Sequence, residues 1–361
     1  MKNGGGDTQE QSETWEIQKA MAAHATTSDS DAASSSDDGS RCLLLALSHD
    51  ELGVIVDGLA DPLQPIVAVA LSSTCLGLRT PLQATLEVLR PQHARAKALC
   101  RKLGMLACSE LSAAPEVVQP GRWLWYLRPL HDQQLTTDDM ATLGMLLDKY
   151  LPSLRILRLG ENGFGDAGVQ ALCEALGRGA APSLVELNLE GNQLGPAGAE
   201  ALAGALRRGA LPKLARLRLR GNLIGDQGVA ALSPLLRKLP GLSHLDLSCC
   251  GMSDKGVASL VADLGKDDFK ALEWLPFFSY DITNTGVATI QAVIDAGGMP
   301  MLLDHNAVFL HYTSASASAI HAVNDALKKR RSQFQSLGSR LCSSCGASRS
   351  ACTTAHGIHG W

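Results

Sequence analysis

The residues best suited to chemistry lie at alternate positions in the middle of the chain. Arg216, Arg218 and Arg220 follow one another two residues apart, and Glu186, Asn188 and Glu190 repeat that spacing 30 residues earlier. His244, Asp246 and Ser248 come 28 residues after the arginines, and Trp274, Pro276 and Phe278 close the series that Ile156, Arg158 and Gly160 open. Alternate residues of a strand share one face, so each triplet would present a row of side chains. The chemistry of such rows is recognition: guanidiniums grip carboxylates, and Trp274 and Phe278 would anchor an apolar group. Arg158, Glu186, Asn188, Glu190, Arg216, Arg218, Arg220, His244, Asp246, Trp274 and Phe278 are the expected partner-binding residues, with Trp274 exposed. The same charges could instead pair across strands, as Glu186–Arg216 and Glu190–Arg220, worth a few tenths of a kcal/mol to about 1 kcal/mol each.

Other chemistry finds no support. The tail carries Cys342, Cys345, Cys352, His356 and His359, which are zinc-ligand types, but six residues separate Cys345 from Cys352 and nothing apolar surrounds them. A disordered tail without metal is expected. There is no phosphate-binding loop, HExxH or GxSxG motif, and His49, His93, His131, His244 and His305 lack spaced partners. The basic stretch Arg207, Arg208, Lys213, Arg216, Arg218 and Arg220 lacks interleaved aromatics in a chain of net charge −4, which argues against nucleic acid. No enzyme and no cofactor are expected.

The elements that must hold these rows are legible in a repeat of 28–30 residues between Leu154 and Ile282. Its consensus, L-x-x-L-x-L-x-x-N-x-φ with φ a large apolar residue, runs Leu154, Leu157, Leu159, Asn162, Phe164 in the first copy. Leu184, Leu187, Leu189, Asn192, Leu194 and Leu214, Leu217, Leu219, Asn222, Ile224 repeat it. The fourth copy, Leu242, Leu245, Leu247, Cys250, Met252, has lost its asparagine, and the fifth has decayed to Leu272, Leu275, Phe277, Tyr280, Ile282. Leucines two apart fill a shared core, and Asn162, Asn192, Asn222 and Cys250 form a ladder that satisfies backbone groups where each strand turns away. A glycine follows each copy: Gly168, Gly198, Gly228, Gly256 and Gly286. Val169, Leu172, Ala175 and Leu176, like Ala199, Leu202, Ala205 and Leu206, then share one face of a helix. Asp166 and Asp226 are expected to suit the N–H groups of the helices they open.

Such strand–turn–helix units stack into a solenoid. The pattern resembles the ribonuclease-inhibitor class of leucine-rich repeats over roughly 130–180 residues. The resemblance implies an α/β solenoid, with parallel strands on the concave face and helices on the convex face, preceded by a small helical module. It also implies a scaffold that binds a protein partner on the concave strands. Ran GTPase-activating proteins use the same repeat class, which makes a small-GTPase regulator a second alternative.

The edges follow a different pattern. Residues 1–41 form a serine-rich acidic tail expected to be disordered, and 42–110 a helical module. Residues 111–150 read as a linker and degenerate capping repeat with Leu127, Leu130, Leu135, Met140, Leu143 and Leu147, its helix capped by Thr136 or Thr137. Repeats fill 151–301, a capping helix ending at Lys328–Arg331 fills 302–331, and a tail occupies 332–361. Within the module, Ser48 and Glu51 form a capping box, Asp61-Pro62 starts a second helix, Pro81 a third that Pro91 closes, and a basic helix holds Arg95, Lys97, Arg101 and Lys102. Leu47-Ser48-His49-Asp50-Glu51-Leu52, Ile55, Leu59, Asp61-Pro62, Leu71 and Cys75 resemble an F-box. Ser48 stands where that family carries proline, and Leu78 near its usual tryptophan. The resemblance implies docking to a Skp-type adaptor of a cullin ubiquitin ligase through residues 44–90, with the repeats choosing the substrate. The other reading of this module is a cap on the solenoid. No apolar run spans a bilayer and no signal-peptide core opens the chain. Cys42, Cys75, Cys100, Cys108 and Cys173 stand singly, as in a reducing compartment, so cytoplasm or nucleus is expected.

Overall fold

The computed structural model describes residues 60–62, 65–74, 76–103, 116–118, 135–265, 267–303, 308, 310 and 313–340. The chain forms two compact units, residues 1–98 and 99–361. The Ser48–Glu51 capping box, Cys75, and the tails 1–41 and 341–361 lie outside the described residues.

In the first unit, α1 (Ile66–Thr74) starts after Pro65 and not at Pro62. Val69 N–H donates to the Pro65 carbonyl at 3.0 Å, so Pro65 stands where a missing N–H costs nothing. Pro62 is buried in the preceding turn, and its carbonyl accepts from His93 Nδ1 at 2.6 Å, which gives that histidine a structural partner. The prolines mislead again in α2 (Leu76–Lys102), which is one helix running through Pro81 and Pro91. Leu82, Leu89, Ala96 and Leu103, seven residues apart, are buried along its length. Burying that stripe offsets the hydrogen bond lost at each proline, a defect of about 3 kcal/mol in an exposed helix.

The second unit alternates short strands with helices. β1 (Glu116–Val118), β2 (Ile156–Arg158), β3 (Glu186–Asn188), β4 (Arg216–Arg218) and β5 (His244–Asp246) form one parallel sheet in sequence order. Between them lie α3 (Thr137–Lys149), α4 (Gly165–Leu176), α5 (Pro196–Arg207) and α6 (Gly225–Leu236), followed by α7 (Asp254–Val261), α8 (Asn284–Asp295) and α9 (Ala317–Arg340). Each helix from α3 onward packs on the next. This is the α/β solenoid that the repeat implied. The consensus leucines Leu157, Leu187, Leu217 and Leu245 are in register and fully buried. Leu272, Leu275, Phe277 and Ile282 of the decayed fifth copy are equally buried. The fifth copy adds only an isolated bridge, His244 to Trp274, although Leu247 N–H still reaches the Pro276 carbonyl at 3.0 Å. A proline suits that position, because no strand follows to take its missing N–H.

The asparagine ladder forms as expected. Asn192 Oδ1 accepts from the N–H groups of Asn162 (3.0 Å) and Gly163 (3.1 Å), while its Nδ2 donates to the Leu159 (2.8 Å) and Glu190 (3.2 Å) carbonyls. Asn222 repeats this toward Asn192, Leu194, Leu189 and Leu219. Cys250 stands in with its thiol, donating to the Leu219 carbonyl at 3.2 Å. Burial pushes that thiol up to about 12.

On the helix side the aspartates act on neighbours, not on their own helices. Asp166 lies inside the first turn of α4, and its Oδ1 accepts from Gly195 (2.7 Å) and Gly198 (2.9 Å) at the start of α5. Asp226 accepts from Ser253 N–H (2.7 Å) before α7, and Asp254 from Thr283 (2.8 Å) and Gly286 (3.0 Å) at α8. The recurrent glycines follow from this. A Cβ on Gly198 or Gly256 would sit 2.5 Å from the aspartate oxygen of the preceding unit.

The array runs further than its leucines suggest. Asn284, at the aspartate position of α8, accepts from Ser316 N–H at 2.7 Å before α9, and Ser314 N–H donates to the Ile282 carbonyl at 2.9 Å. With Val323 and Leu327 buried, α9 stacks on α8 as the helix of a sixth unit. It continues past the expected stop at Arg331 to Arg340. Arg330 donates to the Gly298 (2.9 Å) and Met299 (2.8 Å) carbonyls and to that of Ile294, closing the end of α8. At the other edge, β1 supplies the strand of the unit before Leu154, and Thr136 and Asp139 form a capping box on α3. Leu127 and Leu130 lie outside the described residues.

Candidate protein-interaction face

Strand register arranges the outward residues in three rows. Ile156, Glu186, Arg216 and His244 are aligned, and the bridge to His244 adds Trp274. Arg158, Asn188, Arg218 and Asp246 form the second row. Gly160, Glu190, Arg220, Ser248 and Phe278 continue the same alternation one step further along each unit.

Glu186 is the centre of the first two rows. It was expected to point into solvent, but it is only 1% exposed. Arg158 grips it with Nε on Oε1 (2.7 Å) and Nη2 on Oε2 (3.2 Å). Arg218 Nη1 reaches Oε1 at 3.2 Å, and Arg216 Nη1 lies 3.6 Å from Oε2. Burial works against the charge of Glu186, but the Arg158 hydrogen bonds and the charges of Arg218, Arg158 and Arg216 prevail and hold its carboxyl below the usual range. The expected pair Glu186–Arg216 therefore exists as one arm of a cluster of three arginines on one carboxylate.

The third row behaves differently. Arg220 Nε lies 3.4 Å from Glu190 Oε1, which is the second expected pair, and its guanidinium sits 5.4 Å from the Phe278 ring centre in cation–π contact. Burial pushes the Glu190 carboxyl up; Arg220 opposes this, while Asp246 and Glu161 add to it. Ser248 is buried, and its hydroxyl has no hydrogen-bond partner.

Two expected contact residues are spent within their own strands. Asn188 Oδ1 accepts from Glu190 N–H (2.9 Å), and Asp246 Oδ1 from Ser248 N–H (3.0 Å), the same bond at the same place in two units. Each ends a strand by occupying the next N–H. Trp274, expected to be exposed, is half-buried, with its ring 5.9 Å from that of His244. Burial, followed by the Arg216 charge, lowers the His244 pKa, so its ring is neutral at neutral pH. Its Nδ1 lies 2.9 Å from Ser243 Oγ, an arrangement with a superficial likeness to a nucleophile and base. The Ser243 hydroxyl, however, donates to the Ala215 carbonyl at 3.1 Å, so the ring N–H is the donor between them and no base faces the hydroxyl.

Among the described residues no group of three or more His, Cys, Asp or Glu could hold a metal, and no helix is long and apolar enough to cross a membrane. The Cys/His tail lies outside them. A groove of 1210 Å³ opens beside α7, which has 8 residues where α4, α5, α6 and α8 have 12. Ala258, Ala288, Thr289 and Ala292 line it, and the carboxylate there, Asp268, is taken by Lys238 at 2.6 Å.

A family model for the leucine-rich repeat matches residues 150–173, 180–203, 210–233 and 240–261. This is a leucine-rich repeat protein. The matched segments are the four units with consensus leucines; the fifth and sixth repeats, which the stacking of α8 and α9 reveals, fall outside them. No curated protein matches the chain significantly. Leucine-rich repeats generally mediate protein–protein interaction, which is the kind of use this face suits.

Proposed function

We propose that this leucine-rich repeat protein is a non-enzymatic scaffold of the ribonuclease-inhibitor class that holds a protein partner on its strand face. One observation carries this reading. The outward rows place part-exposed arginines, held by a buried carboxylate, beside the half-buried aromatic pair His244–Trp274. Fixed guanidiniums and aromatic rings are the groups that dominate protein interfaces, and fixing them in advance lowers the entropy lost on binding.

A photo-crosslinker at Trp274 and another at Glu174 on the opposite side of a repeat would test the reading in cells. A partner should crosslink at Trp274, and Arg216→Glu/Arg218→Glu/Arg220→Glu should abolish its capture without unfolding the chain. Crosslinking from Glu174 alone, or undiminished capture by the triple variant, would overturn it. The adaptor-binding and GTPase-regulating alternatives have no observation of their own among the described residues.

A further inference from the structure

We infer that the strand face selects an acidic segment of its protein partner, read at Arg216 and Arg218. The inference rests on the strand-face reading and names the partner's chemistry. Three guanidiniums surround one carboxylate at Glu186, so two positive charges remain uncompensated there. Glu186 is 1% exposed, whereas Arg158, Arg216 and Arg218 are 37%, 46% and 35% exposed. The carboxylate lies beneath the arginines and orients them, leaving unused N–H donors toward solvent. A guanidinium offers five donors, and Arg218 gives Glu186 one hydrogen bond.

The remaining carboxylates of this face are not free to neutralise the cluster. Asp246 is 6% exposed and accepts from Ser248 N–H, and Glu190 pairs with Arg220. The excess is therefore confined to the first two rows. Spacing decides what it reads. Arg216 and Arg218 stand two apart on β4, a separation of about 6.6 Å along a parallel strand. That is the spacing of alternate side chains in an extended chain and exceeds the span of a single phosphate. Two carboxylates at alternate positions of an extended partner segment would each meet one guanidinium. Trp274 lies two strands further along the first row, where an apolar residue of the partner would rest.

The test uses the full chain and short fluorescein-labelled peptides followed by anisotropy. One peptide carries glutamate at alternate positions with a terminal leucine, one has glutamine in their place, and one has a single phosphoserine among glutamines. A single-stranded oligonucleotide of matched charge completes the set. The glutamate peptide should bind most tightly, and its affinity should fall as salt rises. Arg216→Gln and Arg218→Gln should each weaken it about tenfold, the loss of one charge-assisted hydrogen bond. Arg158 still holds Glu186 in both variants, so the fold should survive, and Arg207→Gln on α5 should change nothing. Equal or absent binding of the glutamate and glutamine peptides overturns the inference, even if a variant fails to fold. Binding led by the phosphoserine peptide or the oligonucleotide also overturns it. If the glutamate peptide fails while the Trp274 crosslink persists, the acidic-segment inference falls and the strand-face reading stands.

Discussion

The second and third consensus units and the fifth unit bury their leucines equally well, yet only the former keep the amide ladder. Asn192 serves four backbone groups of its own and the preceding unit. Cys250 replaces those contacts with a thiol, and Tyr280, at the same place one unit later, is 75% exposed. Apolar packing and polar satisfaction are thus separable in a repeat. The stack persists wherever the core is filled, while the ladder depends on one side chain having both an acceptor and a donor.

The largest effects should be common to both regions. Leu187→Ala and Leu275→Ala should each cost about 2–5 kcal/mol in denaturant unfolding, because both side chains are fully buried and leave a cavity. A small loss at Leu275 would show that the fifth unit packs loosely. The regions should part at the ladder. Asn192→Ala should cost about 1–3 kcal/mol by orphaning buried backbone groups, while Tyr280→Ala should stay within about 0.5 kcal/mol. Equal costs at both places would erase the distinction.

Cys250→Asn should move the fourth unit toward the regular ones and stabilise it by about 1 kcal/mol, since an amide oxygen would accept where the thiol does so weakly. A loss of stability would mean that this site has adapted to sulfur. The smallest effect concerns pH. Burial disfavours the Asp226 carboxylate, but hydrogen bonds from the Ser253 hydroxyl and from Ser253 and Gly256 N–H, with the Lys255 charge, lower its pKa overall. A depressed folded pKa adds stability that is fully present above the unfolded value near 3.9 and is lost as pH falls through the folded one. Asp226→Asn should therefore destabilise the chain at neutral pH, and the difference from wild type should shrink progressively below about pH 4. A difference unchanged by acid would show that the bonds do not depend on the charge.

What could be read from the sequence was whatever a single unit decides for itself. Leu157 and Leu159, two apart, announced a strand, and Val169 with Leu172 and Leu176 a helix, because those patterns reflect one element against one core. The part played by Asp166 escaped because its acceptors are used by Gly195 and Gly198, in the next unit. Glu186 looked like a surface acid because alternation assigns a side and not a depth; three arginines from two neighbouring strands cover it. Pro91 looked like a helix end because local rules do not weigh the stripe of Leu89, Ala96 and Leu103 that spans it. The sixth unit has none of the consensus leucines and is visible only through contacts such as Asn284 to Ser316.

The two ladders point in opposite directions along the chain. On the strand side each asparagine serves the unit before it, as Asn192 does for Asn162 and Leu159. On the helix side each aspartate serves the unit after it, as Asp254 does for Thr283 and Gly286. Peeling units from the C-terminal end strips partners from the strand side of the remainder, and peeling from the N-terminal end strips them from the helix side. Fraying is thus resisted from both ends by different chemistry. The exception is Pro196, which brings no carboxylate to the start of α6. Between α5 and α6 the array is latched on one side only, and a stretched or heated molecule should part first at that seam.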